Sequence, residues 1–216
     1  MNAHRFTFAG SELVFLHTGA LYWPDRGLLC VSDLHLGRSE RYARRAGALL
    51  PPYETRDTLT HLEAAIDAVT PRVVVCLGDS FDDDAAQRGL DEDTGLWISR
   101  LMSGRRWVWI EGNHDPGPVD LGGTHLADLP EPPLTFRHIA RPGATGEVSG
   151  HYHPKARLAG RSRPCLVYDS DRIILPAFGT YTGGGRTGDA ALADLMRPDA
   201  IAILTGPKPM SIPMPR

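Results

Sequence analysis

No stretch of this 216-residue chain is apolar for long enough to span a bilayer, so a transmembrane protein is not expected. Its start, Met1-Asn2-Ala3-His4-Arg5-Phe6, is too polar for the apolar segment of a signal peptide, and a cytoplasmic location is the expectation. Cysteine is scarce: Cys30, Cys76 and Cys165 lie in three separate apolar runs without paired spacing. That argues against a disulfide framework or a thiolate metal site and suits small buried hydrophobes in a reduced compartment. Internal repeats, low-complexity linkers, helix-turn-helix patterns and zinc-finger spacings are also missing, which leaves sequence-specific DNA recognition without a reader. Large net charge is absent too, at a formal −3, and speaks against bulk attraction to nucleic acid. Local sign outweighs the sum, because Asp33, Asp79 and Asp115 are counted in it yet are expected to face metal or its ligands.

What is present is an ordinary globular composition of a length that suits one domain, residues 1–216, with 207–216 read as a loose tail and Thr182-Gly183-Gly184-Gly185-Arg186 as a flexible loop. Three short apolar runs, Leu28 to Ser32, Val73 to Leu77 and Trp107 to Ile110, read as buried strands. Between the first two, Leu59, Leu62, Ile66 and Val69 recur at helical spacing from Glu54 until Pro71 stops the pattern. A second helix falls within Ala85 to Met102, with Asp91-Glu92-Asp93 as its start or a break in it. After Asn113 the runs Leu134 to His138, Glu147 to Ser149, Cys165 to Tyr168, Ile173 to Phe178 and Ala200 to Leu204 are strand-like and separated by Gly and Pro clusters. Strands and helices alternating first, then a run of strands, predict a layered α/β/β/α sandwich: two central mixed sheets flanked by helices.

Each of the first three strands ends in a motif: Asp33-Leu34-His35, Gly78-Asp79, and Gly112-Asn113-His114-Asp115; a fourth, Gly150-His151-Tyr152-His153, follows Glu147 to Ser149. Gly112 suits the tight turn such a strand-to-loop ligand requires. Any one of these motifs occurs often by chance, and it is their order and placement that carry the reading. Phosphodiesters resist attack because their charge repels nucleophiles and neutral water is a poor one. Two divalent cations neutralise the phosphate oxygens and lower the pKa of a water to give hydroxide. Alternate residues of an extended segment point the same way, so one cation can take both Asp33 and His35, and likewise His151 and His153. Asp79 is placed as the bridging carboxylate, and Asn113 offers a neutral carbonyl oxygen. A nitrogen and oxygen donor set without thiolate suits Mn, Fe or Zn better than Ca or Mg.

The motifs together resemble the calcineurin-like metallophosphoesterase superfamily. The resemblance implies that one metal takes Asp33, His35, Asp79 and His153 and the other Asp79, Asn113, a separate histidine and His151. His125 and His138 compete for the separate place; His138 is chosen because Leu134 to Arg137 reads as a strand leading to it, whereas His125 follows Gly122-Gly123 in a loop. The resemblance also gives His114 a catalytic role, as general acid to the leaving oxygen or as a cation on the transition state. Asp115 either orients His114 or only closes the turn before Pro116. Segments outside the motifs, among them Ala20 to Pro24, Gly146 to Pro154, Arg163-Pro164-Cys165 and Leu175 to Gly179 with Tyr181 to Gly184, resemble the PdeM family of ligase-associated DNA damage response endonucleases. That likeness implies a bacterial, manganese-dependent phosphodiesterase cutting single-stranded DNA in DNA repair, linked to a DNA ligase and a helicase. The chain departs from that family at Ile139-Ala140, in place of Glu-Pro, and at Gly185, in place of leucine.

Basic residues flank the motifs: Arg38, Arg41, Arg44 and Arg45 after the first, Lys155, Arg157, Arg161 and Arg163 after the last. Arg38, Arg41, Arg45, Lys155 and Arg157 are taken as contacts to a phosphate backbone, against the alternative that they are solvated faces of a helix and a hairpin. Tyr42 and Tyr152 are candidates for stacking on unpaired bases. Two other functions stay open: a phosphodiesterase or phosphatase for small molecules such as cyclic nucleotides, and a scaffold of the same fold that binds protein without catalysis.

Overall fold

In the computed structural model, which describes residues 2–46, 53–117 and 121–215, two mixed β-sheets face each other with helices outside them. Among the described residues the first sheet takes seven strands in chain order: β1 (Ala3–Phe8), β2 (Ser11–Leu16), β3 (Leu21–Trp23), β4 (Leu28–Val31), β5 (Val73–Leu77), β6 (Arg106–Ile110) and β7 (Thr124–Leu126). Strands β1 to β4 run antiparallel, and β4 to β7 parallel. The helices of the first half are α1 (Arg38–Ala46), α2 (Glu54–Val69), α3 (Asp84–Arg88) and α4 (Glu92–Met102). The second sheet comprises β8 (Asp128–Glu131), β9 (Leu134–Arg137), β10 (Glu147–Ser149), β11 (Lys155–Leu158), β12 (Arg161–Tyr168), β13 (Arg172–Ile174), β14 (Ile201–Leu204) and β15 (Met210–Pro213), with the short helix α5 (Ala190–Ala193) between β13 and β14.

Why the apolar runs are continuous is plain from where each side chain goes. Successive strand residues point to opposite faces, and both faces of the central strands are covered. On β4, Leu28 and Cys30 join the layer between the sheets, while Leu29 and Val31 pack beneath the helices. On β5 and β6, Val75, Leu77, Val108 and Ile110 do the first, and Val74, Cys76, Trp107 and Trp109 the second. From α2, Leu59, Leu62, Ala65 and Ile66 close that outer layer. The outer face of the second sheet buries Cys165, Val167, Ile174, Ala202 and Leu204 against Leu192 and Met196. All three cysteines are free and buried.

The acidic stretch at Asp91 proves to be both break and start: α3 ends at Arg88, and the Asp91 carboxylate caps α4 by accepting from Thr94 N at 2.7 Å. Residues 207–216, expected as a loose tail, instead supply β15, which pairs antiparallel with β14, and Met214, which is buried in the outer core of the second sheet. His125 lies on β7, opposite Trp109, and not in a loop.

Candidate metal centre

The loops at the carboxyl ends of β4, β5, β6, β9 and β10 meet at one end of the two sheets, the position where α/β sheets place ligands. The strands stop before the motifs, so Asp33 and His35 do not belong to an extended segment as expected; β4 ends at Val31. They are presented instead by left-handed backbone: φ is 52° at Asp33, 48° at His35, 47° at Asp79, 69° at His151 and 46° at His153. This conformation costs an ordinary side chain roughly 1 to 2 kcal/mol. Asp and His tolerate it better than most. Between Asp33 and His35, Leu34 turns inward to the core, which sends its two neighbours to the site.

Two groups form. In the first, ligand atoms of Asp33, His35 and His153 all lie within 4.8 Å of one another; in the second, those of Asp79, His138 and His151 do the same. The groups adjoin, with His138 Nδ1 4.0 Å from Asp33 Oδ1. Asn113 Oδ1 lies 2.9 Å from His138 Nε2 and so completes the second group. Of the two histidines that competed, His138 is brought into the site. Its Nδ1 must donate to the Leu77 carbonyl at 2.8 Å, which turns Nε2 toward Asp79 and Asn113. A partly buried ion pair, Arg137 Nη1 to Glu147 Oε1 at 2.8 Å, ties β9, which leads to His138, to β10, which leads to His151.

A cation fits this donor set. His153 Nε2 approaches Asp33 Oδ1 to 3.0 Å, yet these two atoms and His35 Nε2 are buried without a hydrogen-bond partner. Converging lone pairs left unpaired in a dry site cost free energy that a cation recovers. Burial pushes the Asp33 carboxyl up, but the imidazoles of His153 and His138 and the Ser32 hydroxyl outweigh it and hold it below its ordinary value. At Asp79 burial is likewise overcome by His138 and by the His114 N–H, and the carboxyl sits at about 2. Burial pulls the His138 imidazole down, while Asp79 and Asp33 push it up to about 9.

His114 stands over the first group, its ring edge-on to His35 with centroids 5.3 Å apart. Its Nδ1 lies 3.0 Å from the Asp82 carbonyl and 3.2 Å from Arg41 Nη1, so the ring is anchored through this nitrogen. Asp115 does not orient this ring. Its Oδ1 accepts from Asp79 N at 2.8 Å, and its Oδ2 from Ser80 N at 2.7 Å and Phe81 N at 3.2 Å. It also does more than close the turn before Pro116: it holds the loop that carries Asp79. Burial and the nearby Asp79 charge push its carboxyl up to about 7, against those three N–H donors. Gly112 is required for close approach and not for a positive φ, since a Cβ there would collide with Asp79 and Asp115.

The sequence reading missed Asp82, for which the acidic run Asp82-Asp83-Asp84 was the available signal. It is fully buried, with Oδ1 2.9 Å from His35 Nδ1 and 3.0 Å from Arg38 Nη1, and Oδ2 3.0 Å from Arg41 Nη1. Burial pushes this carboxyl up, but His35 and the two guanidiniums bring it to about 2. Arg38, Arg41 and Tyr42 thereby line a cleft of about 370 Å³ with His35, Asp79, Asn113, His114, His151 and His153. The side chain of Arg45 lies outside the described residues. Lys155 and Arg157 do not line the cleft; they line a separate cavity with Arg186 and Thr187. Tyr152 packs edge-on against His151, centroids 5.1 Å apart, and against the outer core of the second sheet.

Two sheets that deliver two adjoining carboxylate and imidazole clusters beneath a guanidinium-lined cleft define a metal-dependent phosphoesterase. Residues 27–169 match the calcineurin-like phosphoesterase family, and the chain belongs to it. Over 97% of this chain and 100% of the other, the structure is similar to that of the Pseudomonas putida nuclease MPE, with 28% sequence identity and a TM-score of 0.77. No curated protein sequence matches the chain.

Proposed function

We propose that the chain is a manganese-dependent endonuclease for single-stranded DNA that acts in bacterial DNA repair, in the cytoplasm and alongside a DNA ligase and a helicase. The observation that carries this is the pair of adjoining metal-ligand groups under Arg38 and Arg41, in a chain similar along nearly its whole length to a nuclease. Asp33, His35 and His153 would hold one divalent cation, Asn113, His138 and His151 the other, with Asp79 between them. When bound, the two cations supply charge neutralisation at the phosphate and a water acidic enough to attack at neutral pH.

The chain's own groups do the rest. Arg38 and Arg41, held by Asp82, present guanidinium N–H groups to phosphate oxygens in the cleft. His114, its Nδ1 fixed on the Asp82 carbonyl, protonates the leaving oxygen from Nε2. Tyr42, with the Arg38 guanidinium 5.3 Å from its ring centroid, would stack on an unpaired base.

The test is incubation of circular single-stranded DNA with metal-stripped protein, with and without manganese, beside the His114→Ala variant. Manganese-dependent linearisation by the parent and a rate lower by ~10² to 10⁴ in the variant, with both metals retained, are expected for loss of a general acid. Intact circles alongside hydrolysis of a simple aryl phosphodiester would keep the metal centre and discard DNA as substrate.

A further inference from the structure

The β11–β12 hairpin and the loop at Arg186 build a second basic surface that the metal centre does not use. Lys155 and Arg186 are bridged through their backbones, and Lys155 N donates to the Gly185 carbonyl at 2.9 Å. Together with Arg157, Ser162 and Thr187 they line a cavity of about 510 Å³. Arg186 to Asp189, which line it, follow closely in the chain on Gly183, which lines the metal cleft. Lys155 follows the ligand His153 by two residues, which places their Cα atoms within roughly 7 Å.

Three cations, Lys155, Arg157 and Arg186, line this cavity against one carboxylate, Asp189. Arg38, Arg41, Arg137 and Arg172 each face a carboxylate, whereas among the described residues none lies within ion-pair distance of Lys155, Arg157, Arg161 or Arg186. The acid of the cavity, Asp189, uses its Oδ2 to accept from Arg186 N at 2.7 Å. Among the described residues Lys155 Nζ reaches a neutral acceptor, the Thr182 carbonyl at 3.3 Å. Unpaired cations spread over two segments beside a phosphodiester site suit a chain of phosphates better than one small anion.

We propose that this surface is a second phosphate-binding track, which holds the backbone of the same DNA strand beyond the scissile phosphate. The inference rests on the DNA reading above. It makes affinity depend on strand length, because a short oligonucleotide occupies the cleft alone and a longer one also reaches the track.

The experiment measures fluorescence anisotropy of labelled oligothymidylates, four and twenty nucleotides long, on manganese-loaded protein in the His114→Ala background, so that the strands survive. With the track intact the long strand binds more tightly than the short. Replacing two phosphate-contacting cations, Arg157→Ala with Arg186→Ala, weakens the long strand ~25-fold at 0.1 M salt and lowers the salt slope by about 1.4, at ~0.7 per contact for single strands. The short strand is affected far less, and Arg157→Lys with Arg186→Lys restores most of the length dependence. Equal affinity of the long strand for the Ala variant and its parent, with an unchanged salt slope, overturns the track. Failure of the parent to bind either strand, while the protein with His114 intact still hydrolyses an aryl phosphodiester, sinks the DNA reading itself.

Discussion

At His138 proton and metal compete for one nitrogen. Asp79 and Asp33 push this imidazole up to about 9, and a metal takes only the neutral ring. The sign follows: below about 9 the ring holds a proton that metal must displace, so metal affinity rises with pH toward that value and falls on acidification. Calorimetric titration of the stripped protein with manganese at pH 7.5, in two buffers of different ionisation enthalpy, is expected to show proton release; identical enthalpies in both would contradict it. Asp115 makes a different demand. Its carboxylate satisfies three buried backbone N–H groups, so Asp115→Ala is expected to cost on the order of 3 kcal/mol, read as a shift in the denaturation midpoint. A variant as stable as its parent would return Asp115 to the chemistry. The residues of the two candidate clusters stood out in the sequence because their motifs lie beside apolar or strand-like runs. The work of Asp115 and Asp82 did not, since their partners lie 32 to 47 residues away in sequence and no local pattern records such bonds.

Among the elements, the turn after β5 is the most constrained. Gly78 has φ 74°, and a Cβ on it would stand 2.6 Å from the His138 ring. Gly78→Ala is therefore expected to displace His138 and empty the second group while leaving the first, so that elemental analysis finds about one metal per chain instead of two. Two metals in that variant would show that the ring can yield. Helix α2 was readable from end to end because its apolar spacing is regular and Pro71 follows it. The β1–β2 hairpin was not read, although Phe6 and Phe8 alternate with polar residues before the turn at Ala9-Gly10. Helix α5 has four residues, too few for any periodicity to show.

For the molecule as a whole, the order of strands and helices was enough to reach two mixed sheets with helices outside. What the sequence did not reveal was the C-terminal segment: expected as a loose tail, it is made a sheet edge by hydrogen bonds to β14 and the burial of Met214. Deleting residues 207–216 is expected to lower the melting temperature by several degrees and to promote aggregation through the bared β14 edge. A loose tail could be removed with neither effect. Left-handed backbone at Asp33, His35, Asp79, His151 and His153 carries a consequence for how such a centre can change. The alphabet open to those positions is narrowed twice, once by coordination chemistry and once by conformation. A swap to a β-branched donor such as threonine would be resisted by the chain before any metal arrived. Descendants of this sequence are thus freer to change which ion they use by altering what surrounds the ligands than by altering the ligands themselves.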